Sequence, residues 1–331
     1  MQDLFNLNLG IIYILMSGVL MIILGRKYKF TDSELKQLNK KFHHVNIVRY
    51  RNRDEQEVLN ELENIAKTEP IDILVLNTKV TVGNEIIKYI TKLQFAKQHK
   101  RLKIITMENL MEKYLFKCYI PEDNADLRFL SHIKAFGKFE YITKRIIDYI
   151  GSIVLFLVTF PIIIYARNKI KSESPGTSMF KQLRVGKDNI EFQCIKFRSM
   201  RLDAEANGAK FASKDDDRTF HWGNTMRKTR IDELPQIINV MKGEMHLIGP
   251  RPERKIWTDQ FEQDIPYYNE RHLVRPGITG WAQVMYPYGA NAEDAKQKLM
   301  YDLYYIKHWS LWLELKVIYK TMLVVIGRKG V

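Results

Sequence analysis

Cysteine is scarce in this sequence, which has 331 residues and only two cysteines, Cys118 and Cys194. Two cysteines so far apart exclude a disulfide framework and a CxxC zinc pattern, and they fit a reducing compartment. The 8 histidines show no HExxH spacing, and we interpret His43 and His44 as solvated side chains rather than metal ligands. No GxGxxG follows the first predicted strand, so a dinucleotide-binding fingerprint is missing there.

Acidic residues are outnumbered by basic ones, 38 against 52, which gives a formal charge of +14 beside an apolar fraction of 46%. A basic and apolar chain is typical of proteins that bind nucleic acid, an anionic membrane or a phosphorylated substrate. The charge is spread around apolar segments, and no nucleic-acid-binding module is recognisable. We therefore predict a membrane and a phosphorylated ligand, and no nucleic acid.

Residues 7–24 form a first uncharged apolar run, followed at once by Arg26, Lys27 and Lys29. The run is about long enough to cross the hydrocarbon core, and the following charges place the rest of the chain in the cytoplasm. We predict a transmembrane anchor over residues 1–29. A signal peptide is the alternative, but a basic n-region and a small-residue cleavage site are missing.

Predicted strands at 45–50, 71–76 and 102–106 alternate with predicted helices at 54–67 and 84–99. This order predicts a small parallel α/β, Rossmann-like domain over residues 40–130. Because the turn after its first strand is not glycine-rich, we predict a degenerate, structural or regulatory domain rather than a cofactor site.

A second apolar run covers residues 149–166 and has cations on both sides, so a simple span would leave one cationic cluster on the wrong side. Pro161 also removes a helix hydrogen bond. We predict a re-entrant membrane segment over residues 146–166 that breaks at Phe160 and Pro161, with Ser152 and Thr159 helping to satisfy the backbone. An ordinary second span and a buried core helix remain alternatives.

Adjacent carboxylates, Asp232 and Glu233, precede a predicted helix that contains Pro235 and stops at Gly243. Three cations come just before the pair: Arg227, Lys228 and Arg230. A helix start among fixed positive charges attracts phosphate and keeps a carboxylate ionised. A plain helix cap is the alternative, since Thr229 with Asp232 also fits a capping box.

Further cations recur around this stretch. Lys196 and Arg198 lie on a predicted short strand, and Arg251 lies in a stiff turn between two prolines, where a guanidinium is held for bidentate phosphate binding. Arg275 begins a segment in which Gly277 and Gly280 permit close backbone approach. We predict that five cations bind substrate phosphate: Lys196, Arg198, Arg227, Arg251 and Arg275. The acidic triplet at 215–217 is interpreted as a solvated loop rather than a cation site.

Two helices are predicted at the end of the chain, capped by Asn291 and Ser310. Tyrosine, tryptophan and lysine along them predict helices at a membrane interface, with packed amphipathic core helices as the alternative.

Residues 139–331 resemble the bacterial sugar transferase family, the monotopic polyprenyl-phosphate phosphoglycosyl transferases. The resemblance rests on six ordered blocks: KRIID at 144–148, KFRSM at 196–200, RKTRIDELPQ at 227–236, GPRP at 249–252, RPGITGWAQV at 275–284 and YD at 301–302 through Trp309. The family has a small polar residue before the helix-breaking proline, where this chain has Phe160.

The resemblance implies an α+β catalytic domain with a re-entrant membrane helix and interfacial helices, on the cytoplasmic face of the bacterial inner membrane. It implies transfer of a sugar-1-phosphate from a UDP-sugar to undecaprenyl phosphate, with release of UMP. Asp232 would be the nucleophile with Mg²⁺ beside it, Glu233 would assist metal binding or proton handling, and three cations would bind phosphate: Lys196, Arg227 and Arg251.

Two other functions fit the sequence: a direct transferase without a covalent intermediate, and a non-catalytic membrane scaffold or regulator of glycan assembly. The intact acid pair argues against the scaffold. The sequence does not decide which sugar is used, or whether the chain is a monomer or a homodimer.

Overall fold

The computed structural model describes residues 19–50, 52–78, 82–96, 102–121, 127–204, 216–286, 289 and 291–327. The chain divides into two compact units, Met1–Tyr119 and Ile120–Val331. In the described part of the first unit the strands and helices follow in the order β1 (Leu20–Leu24), α1 (Asp32–Asn39), β2 (His44–Val48), α2 (Glu55–Thr68), β3 (Ile71–Leu76), α3 (Asn84–Phe95), β4 (Lys103–Thr106) and α4 (Met107–Leu110).

The first unit is built on a parallel sheet with strand order β2-β1-β3-β4. Leucine, isoleucine and valine side chains from the strands pack against α2 and α3, with Ile22, Val58 and Ile86 completely buried. The predicted parallel α/β architecture is therefore confirmed, although its first strand begins at Leu20 rather than near residue 40.

The predicted transmembrane helix over 7–24 is wrong in its last five residues, because Leu20–Leu24 form the strand β1. The rest of the predicted span, up to residue 18, lies outside the described residues. Strand β1 is inside the sheet and all five of its residues are buried. A strand buried on both faces reads as a continuous apolar run, which composition alone does not distinguish from the end of a membrane helix.

The second unit contains the hairpin and helices that carry the predicted site. In its described part the order is α5 (Leu127–His132), α6 (Lys138–Glu173), β5 (Met179–Val185), β6 (Glu191–Phe197), α7 (His221–Thr229), α8 (Ile237–Lys242), β7 (His246–Ile248), α9 (Lys255–Asp264), β8 (Gly277–Thr279), α10 (Trp281–Met285), α11 (Ala292–Lys307) and α12 (Leu311–Ile326). Strands β5 and β6 pair antiparallel, and β7 and β8 pair parallel. The predicted caps Asn291 and Ser310 are confirmed.

Helix α6 has 36 residues and is long and apolar enough to cross a membrane. The predicted break at Phe160 and Pro161 is not confirmed, because both lie inside the continuous helix. The Thr159 hydroxyl donates to the Leu155 carbonyl at 2.6 Å, a bond that often accompanies a bent helix. The helix thus accommodates Pro161 without leaving the helical conformation.

Both ends of α6 contact the same unit, while its middle is exposed. Near its start, Arg145 donates to the Val240 carbonyl at 3.1 Å and Asp148 accepts from the Leu247 N–H at 2.9 Å. Near its end, Ala166 and Ile170 are completely buried against residues of β6 and α7. Between them the apolar side chains are largely exposed, the most exposed being Val158 at 70% and Leu157 at 66%.

A buried ionic cluster fixes the start of α6. The Lys144 ammonium is completely buried and lies 2.7 Å from Glu314 of α12 and 3.3 Å from Asp148. Glu314 also accepts hydrogen bonds from Tyr305 and Trp309. A buried lysine is stable only with such partners, so this cluster fixes α6 relative to α11 and α12.

Candidate active site

The predicted acid pair lies in a short 3₁₀ helix, Ile231–Gln236, that connects α7 to α8. Arg230 ends α7 in the left-handed conformation with φ 56°, which is rare for arginine and costs free energy. The alternative interpretation as a capping box is wrong, because the Thr229 hydroxyl donates to the Thr225 carbonyl behind it. The predicted stop at Gly243 is confirmed by its φ of 84°.

Glu233 is the charge-paired member of the acid pair. Its carboxylate lies 2.8 Å from the Arg251 guanidinium, 3.5 Å from Arg230 and 3.9 Å from the Lys196 ammonium. Burial alone would raise the pKa of Glu233, but Arg251, Arg230 and Lys196 outweigh it and hold that pKa far below its usual range. Glu233 therefore stays ionised and holds three cations from β6, α7 and the Gly249–Glu253 turn in one place.

Asp232 lies beside Glu233 in a different electrostatic environment. Burial and then the charge of Glu233 raise the pKa of Asp232 to about 7, although Lys196, Arg251 and Arg227 oppose the increase. The prediction that the cations keep a carboxylate ionised thus holds for Glu233, and not for Asp232. Among the residues that the structure describes, the Asp232 carboxylate has no hydrogen bond or ion pair of its own.

A cavity of about 650 Å³ opens beside the acid pair. Eleven cationic and four acidic side chains line it, an excess of seven positive charges. The cations are Arg184, Lys196, Arg198, Arg201, Arg218, Arg227, Arg230, Arg251, Arg254, Arg271 and Lys298, and the acids are Asp232, Glu233, Glu253 and Asp302. Such an excess inside a cleft favours a ligand with several negative charges.

The predicted phosphate-binding residues do not all lie in the same place. Lys196, Arg227 and Arg251 line the cavity with the acid pair. Arg198 also lines it, but its guanidinium donates to the Thr177 carbonyl and to the carbonyl and hydroxyl of Ser174. Arg275 is not among the lining residues; its guanidinium donates to the Tyr141 hydroxyl of α6.

The turn that carries Arg251 packs so closely on Gly277 and Gly280 that neither position has room for a side chain. A Cβ atom on Gly277 would lie 2.0 Å from the Gly249 nitrogen, and one on Gly280 would lie 2.1 Å from the Gly249 carbonyl oxygen. The predicted close backbone approach at Gly277 and Gly280 is confirmed. It places the Gly249–Glu253 turn directly against β8, so the Arg251 backbone is held rigidly.

The turn also has contacts on its other side, with two buried residues for which the motifs predicted no role. Arg271 donates to the Arg251 carbonyl at 2.9 Å and to Asp302 of α11 at 2.9 Å. Burial raises the pKa of Asp302 to about 6, against the opposing charge of Arg271. Arg271 and Asp302 are 31 positions apart, and no sequence motif links residues at that distance. The only indication in the sequence was that Asp302 lies in one matched block and Arg271 lies just before another.

The donor set at the acid pair fits Mg²⁺ better than a transition metal. Mg²⁺ is held by one or two carboxylates together with substrate phosphates. Within the described ranges, no group of three His, Cys, Asp or Glu side chains converges on one point. Asp232 is the better ligand of the two, because both Glu233 oxygens face cations.

Residues 139–328 match the family model of bacterial sugar transferases. The chain is 49% identical over 179 residues to a UDP-N-acetylgalactosamine-undecaprenyl-phosphate N-acetylgalactosaminephosphotransferase of Aeromonas hydrophila, covering 54% of this chain and 42% of that protein. It is 39% identical over 191 residues to a UDP-glucose:undecaprenyl-phosphate glucose-1-phosphate transferase of Xanthomonas campestris pv. campestris, covering 57% and 40%.

A protein of the same description from Caulobacter vibrioides is 38% identical over 181 residues, covering 54% of this chain and 68% of that protein. The chain thus spans about two fifths of the length of the Aeromonas and Xanthomonas relatives and about two thirds of the Caulobacter relative. The family match begins at residue 139, so it includes none of the parallel sheet. The chain belongs to the bacterial sugar transferase family.

Proposed function

We propose that this protein transfers a sugar-1-phosphate from a UDP-sugar to undecaprenyl phosphate and releases UMP, as the first membrane step of surface glycan synthesis. The relatives named above carry out this type of transfer by their descriptions. The observation that carries the proposal is the ionisable Asp232 beside a cavity with seven excess positive charges. Phosphoryl transfer requires mainly that phosphate charge be neutralised and the reacting groups be positioned.

The acid pair supports a two-step mechanism. An ionised Asp232 oxygen attacks the phosphorus that bears the sugar, the bond from that phosphorus to the UMP oxygen breaks, and UMP leaves with the bonding electrons. An oxygen of undecaprenyl phosphate then attacks the same phosphorus and releases the Asp232 carboxylate. Covalent catalysis by a carboxylate follows this general course.

Glu233 acts in this proposal through the cations that it holds. Arg251, Arg230 and Lys196 converge on its carboxylate and face the cavity. Negative charge that develops on the leaving UMP oxygen would be stabilised by such fixed cations, which need no reorganisation during the reaction. A bound Mg²⁺, held by Asp232 and substrate phosphate oxygens with Glu233 nearby, would supply further neutralisation of phosphate charge.

We also propose that α6 is a re-entrant membrane helix that bends at Phe160 and Pro161 without unwinding. Both its ends pack on the catalytic unit, and its exposed middle is apolar. Cationic clusters flank the apolar stretch on both sides, which supports a cytoplasmic location for both ends. This arrangement would bring the lipid phosphate to a site at the membrane interface.

The topology can be tested with single cysteines at the two ends of α6. Lys138→Cys and Ser172→Cys are both at exposed positions, whereas the native Cys118 and Cys194 are buried. In intact spheroplasts, an impermeant thiol reagent should label neither site, and in inside-out vesicles it should label both. Labelling of one site in each preparation would show an ordinary span.

The reaction can be tested by UMP release from a panel of UDP-sugars with undecaprenyl phosphate and Mg²⁺. Wild type should release UMP with one or a few sugars, and Asp232→Asn should lose at least about a thousandfold because the neutral amide is not a nucleophile. Wild type should also exchange labelled UMP into UDP-sugar without acceptor. Turnover without exchange would indicate a direct transferase, and no turnover with any nucleotide sugar would favour a non-catalytic scaffold.

A further inference from the structure

Gln283 of α10 has an unused hydrogen-bond acceptor next to the cavity. Its side chain is 8% exposed and lines the cavity, and its Oε1 atom has no hydrogen-bond partner among the described residues. The Nε2 atom donates to the Ile278 carbonyl at 3.5 Å, and the other end of the amide is assigned as the oxygen on this contact. A buried carbonyl without a donor costs free energy, so such a group has an ordered water, an ion or a ligand as its partner.

The chemistry of this acceptor excludes the phosphate groups as its partner. Phosphate oxygens and Gln283 Oε1 are both acceptors, so they do not bond to one another. The partner must be an N–H or O–H group, which in a nucleotide sugar belongs to the base, the ribose or the sugar. The cavity therefore has a region for the uncharged part of the donor.

One face of α11 forms the long wall of this region. Ala295, Lys298 and Asp302 line the cavity at helical spacing, and the cap Asn291 lines it too. From Asn291 to Asp302 the wall is about 16 Å long at 1.5 Å per residue. Its Asp302 end is tied through Arg271 to the backbone of Arg251.

Two half-buried aromatic side chains, Trp257 and Tyr286, line the same cavity. An aromatic side chain offers a flat apolar face on which a planar base can stack. We propose that Gln283, Trp257 and Tyr286 bind the nucleobase of the donor, with Gln283 Oε1 accepting from an N–H group of the base. This inference rests on the proposed function and identifies the part of the site that selects a uridine donor.

The test measures binding rather than turnover, with the full chain in detergent. UMP and ribose 5-phosphate, which lacks the base, are titrated against wild type, Gln283→Met and Gln297→Met. Gln297 is a matched control: it is a buried glutamine of α11 that bonds Glu293 and is not among the cavity-lining residues. Gln283→Met should bind UMP about tenfold more weakly and ribose 5-phosphate unchanged, and Gln297→Met should bind both like wild type.

The midpoint of thermal unfolding distinguishes a binding role of Gln283 from a structural role. Gln283→Met removes an unpaired buried carbonyl and keeps the side-chain volume, so its midpoint should not fall below that of wild type. If this variant does not fold, Trp257→Leu provides the same comparison, again with weaker UMP binding and unchanged ribose 5-phosphate binding.

Three results would overturn the inference: unchanged UMP affinity in Gln283→Met, an equal loss for both probes, or no UMP binding by wild type. If UMP affinity is unchanged but the KM values for UDP-sugars rise, Gln283 contacts the sugar instead. Failure of the proposed function is distinguishable, because wild type would then bind UMP through Gln283 yet release none from any UDP-sugar.

Discussion

The N-terminal sheet buries aliphatic side chains around β1, whereas the second unit buries arginines and carboxylates around a cavity. The polar groups at the edge of the sheet satisfy one another: Asn77 bonds the Tyr28 backbone, and the Glu55 carboxylate accepts from the N–H groups at the start of α3. In the catalytic cavity, cations exceed acids by seven. Charge left unbalanced inside a fold indicates that a charged ligand completes it.

This contrast predicts that mutations in the first unit change stability and mutations around the cavity change catalysis. Ile22→Ala removes a completely buried side chain of β1 and should lower the free energy of unfolding of the sheet by about 2–5 kcal/mol. Urea titration with hydrogen exchange of the β1 and β3 amides measures the change. Activity per folded molecule should equal that of wild type.

Ile87→Ala is the matched control for Ile22→Ala, because Ile87 of α3 is 46% exposed. A surface substitution of this kind should change the free energy of unfolding by less than about 0.5 kcal/mol. Equal losses of unfolding free energy in the two variants would show that the buried side chains of β1 do not set the stability of the first unit.

Arg251→Met tests the second part of the comparison, which is the effect of cavity residues on catalysis. It removes the cation nearest to Glu233 and one of the fixed charges for the phosphates, so kcat/KM should fall by about 10²–10³, equivalent to about 2.7–4 kcal/mol. Arg251→Lys keeps the charge but loses the planar fork, and should lie between this variant and wild type. If Arg251→Met keeps more than a tenth of the wild-type kcat/KM, Arg251 is not one of the residues that bind the phosphates.

The sequence predicted this site better than it predicted the fold around it. Adjacent acids after a cationic helix end are visible as a motif, and so is the glycine spacing that brings Gly277 against Gly249. The strand at Leu20–Leu24 was missed because its pairing partners are distant in sequence. The opposite pKa shifts of Asp232 and Glu233 were also out of reach, since they depend on which carboxylate Arg251 contacts in three dimensions.

The Glu233→Gln variant tests the influence of Glu233 on Asp232 through the pH dependence of kcat/KM. Because Asp232 has a pKa of about 7 and reacts as the carboxylate, wild-type kcat/KM should rise tenfold per pH unit up to about pH 7 and then level. Removing the Glu233 charge lowers the pKa of Asp232, so this rise should move to lower pH. The profile is measured at one fixed Mg²⁺ concentration.

Glu253→Gln serves as the control for Glu233→Gln. Glu253 also lines the cavity, but it pairs with Arg184 and is not among the charges that shift the pKa of Asp232. Its profile should keep the wild-type midpoint even if its maximum is lower. An unchanged midpoint in Glu233→Gln would mean that burial, and not Glu233, sets the pKa of Asp232.

Arg275→Met should give the smallest effect of the four, although Arg275 was predicted from the sequence to bind substrate phosphate. The structure has Arg275 stacked on Tyr141 of α6, with 5.1 Å between the guanidinium carbon and the ring centre, and outside the cavity lining. An exposed contact of this kind contributes about 0.5–1 kcal/mol, so kcat/KM should change by at most about fivefold. Measuring kcat/KM for Arg275→Met and Arg251→Met in one preparation decides the matter, because a loss near that of Arg251→Met would mean that Arg275 turns into the cavity when substrate binds.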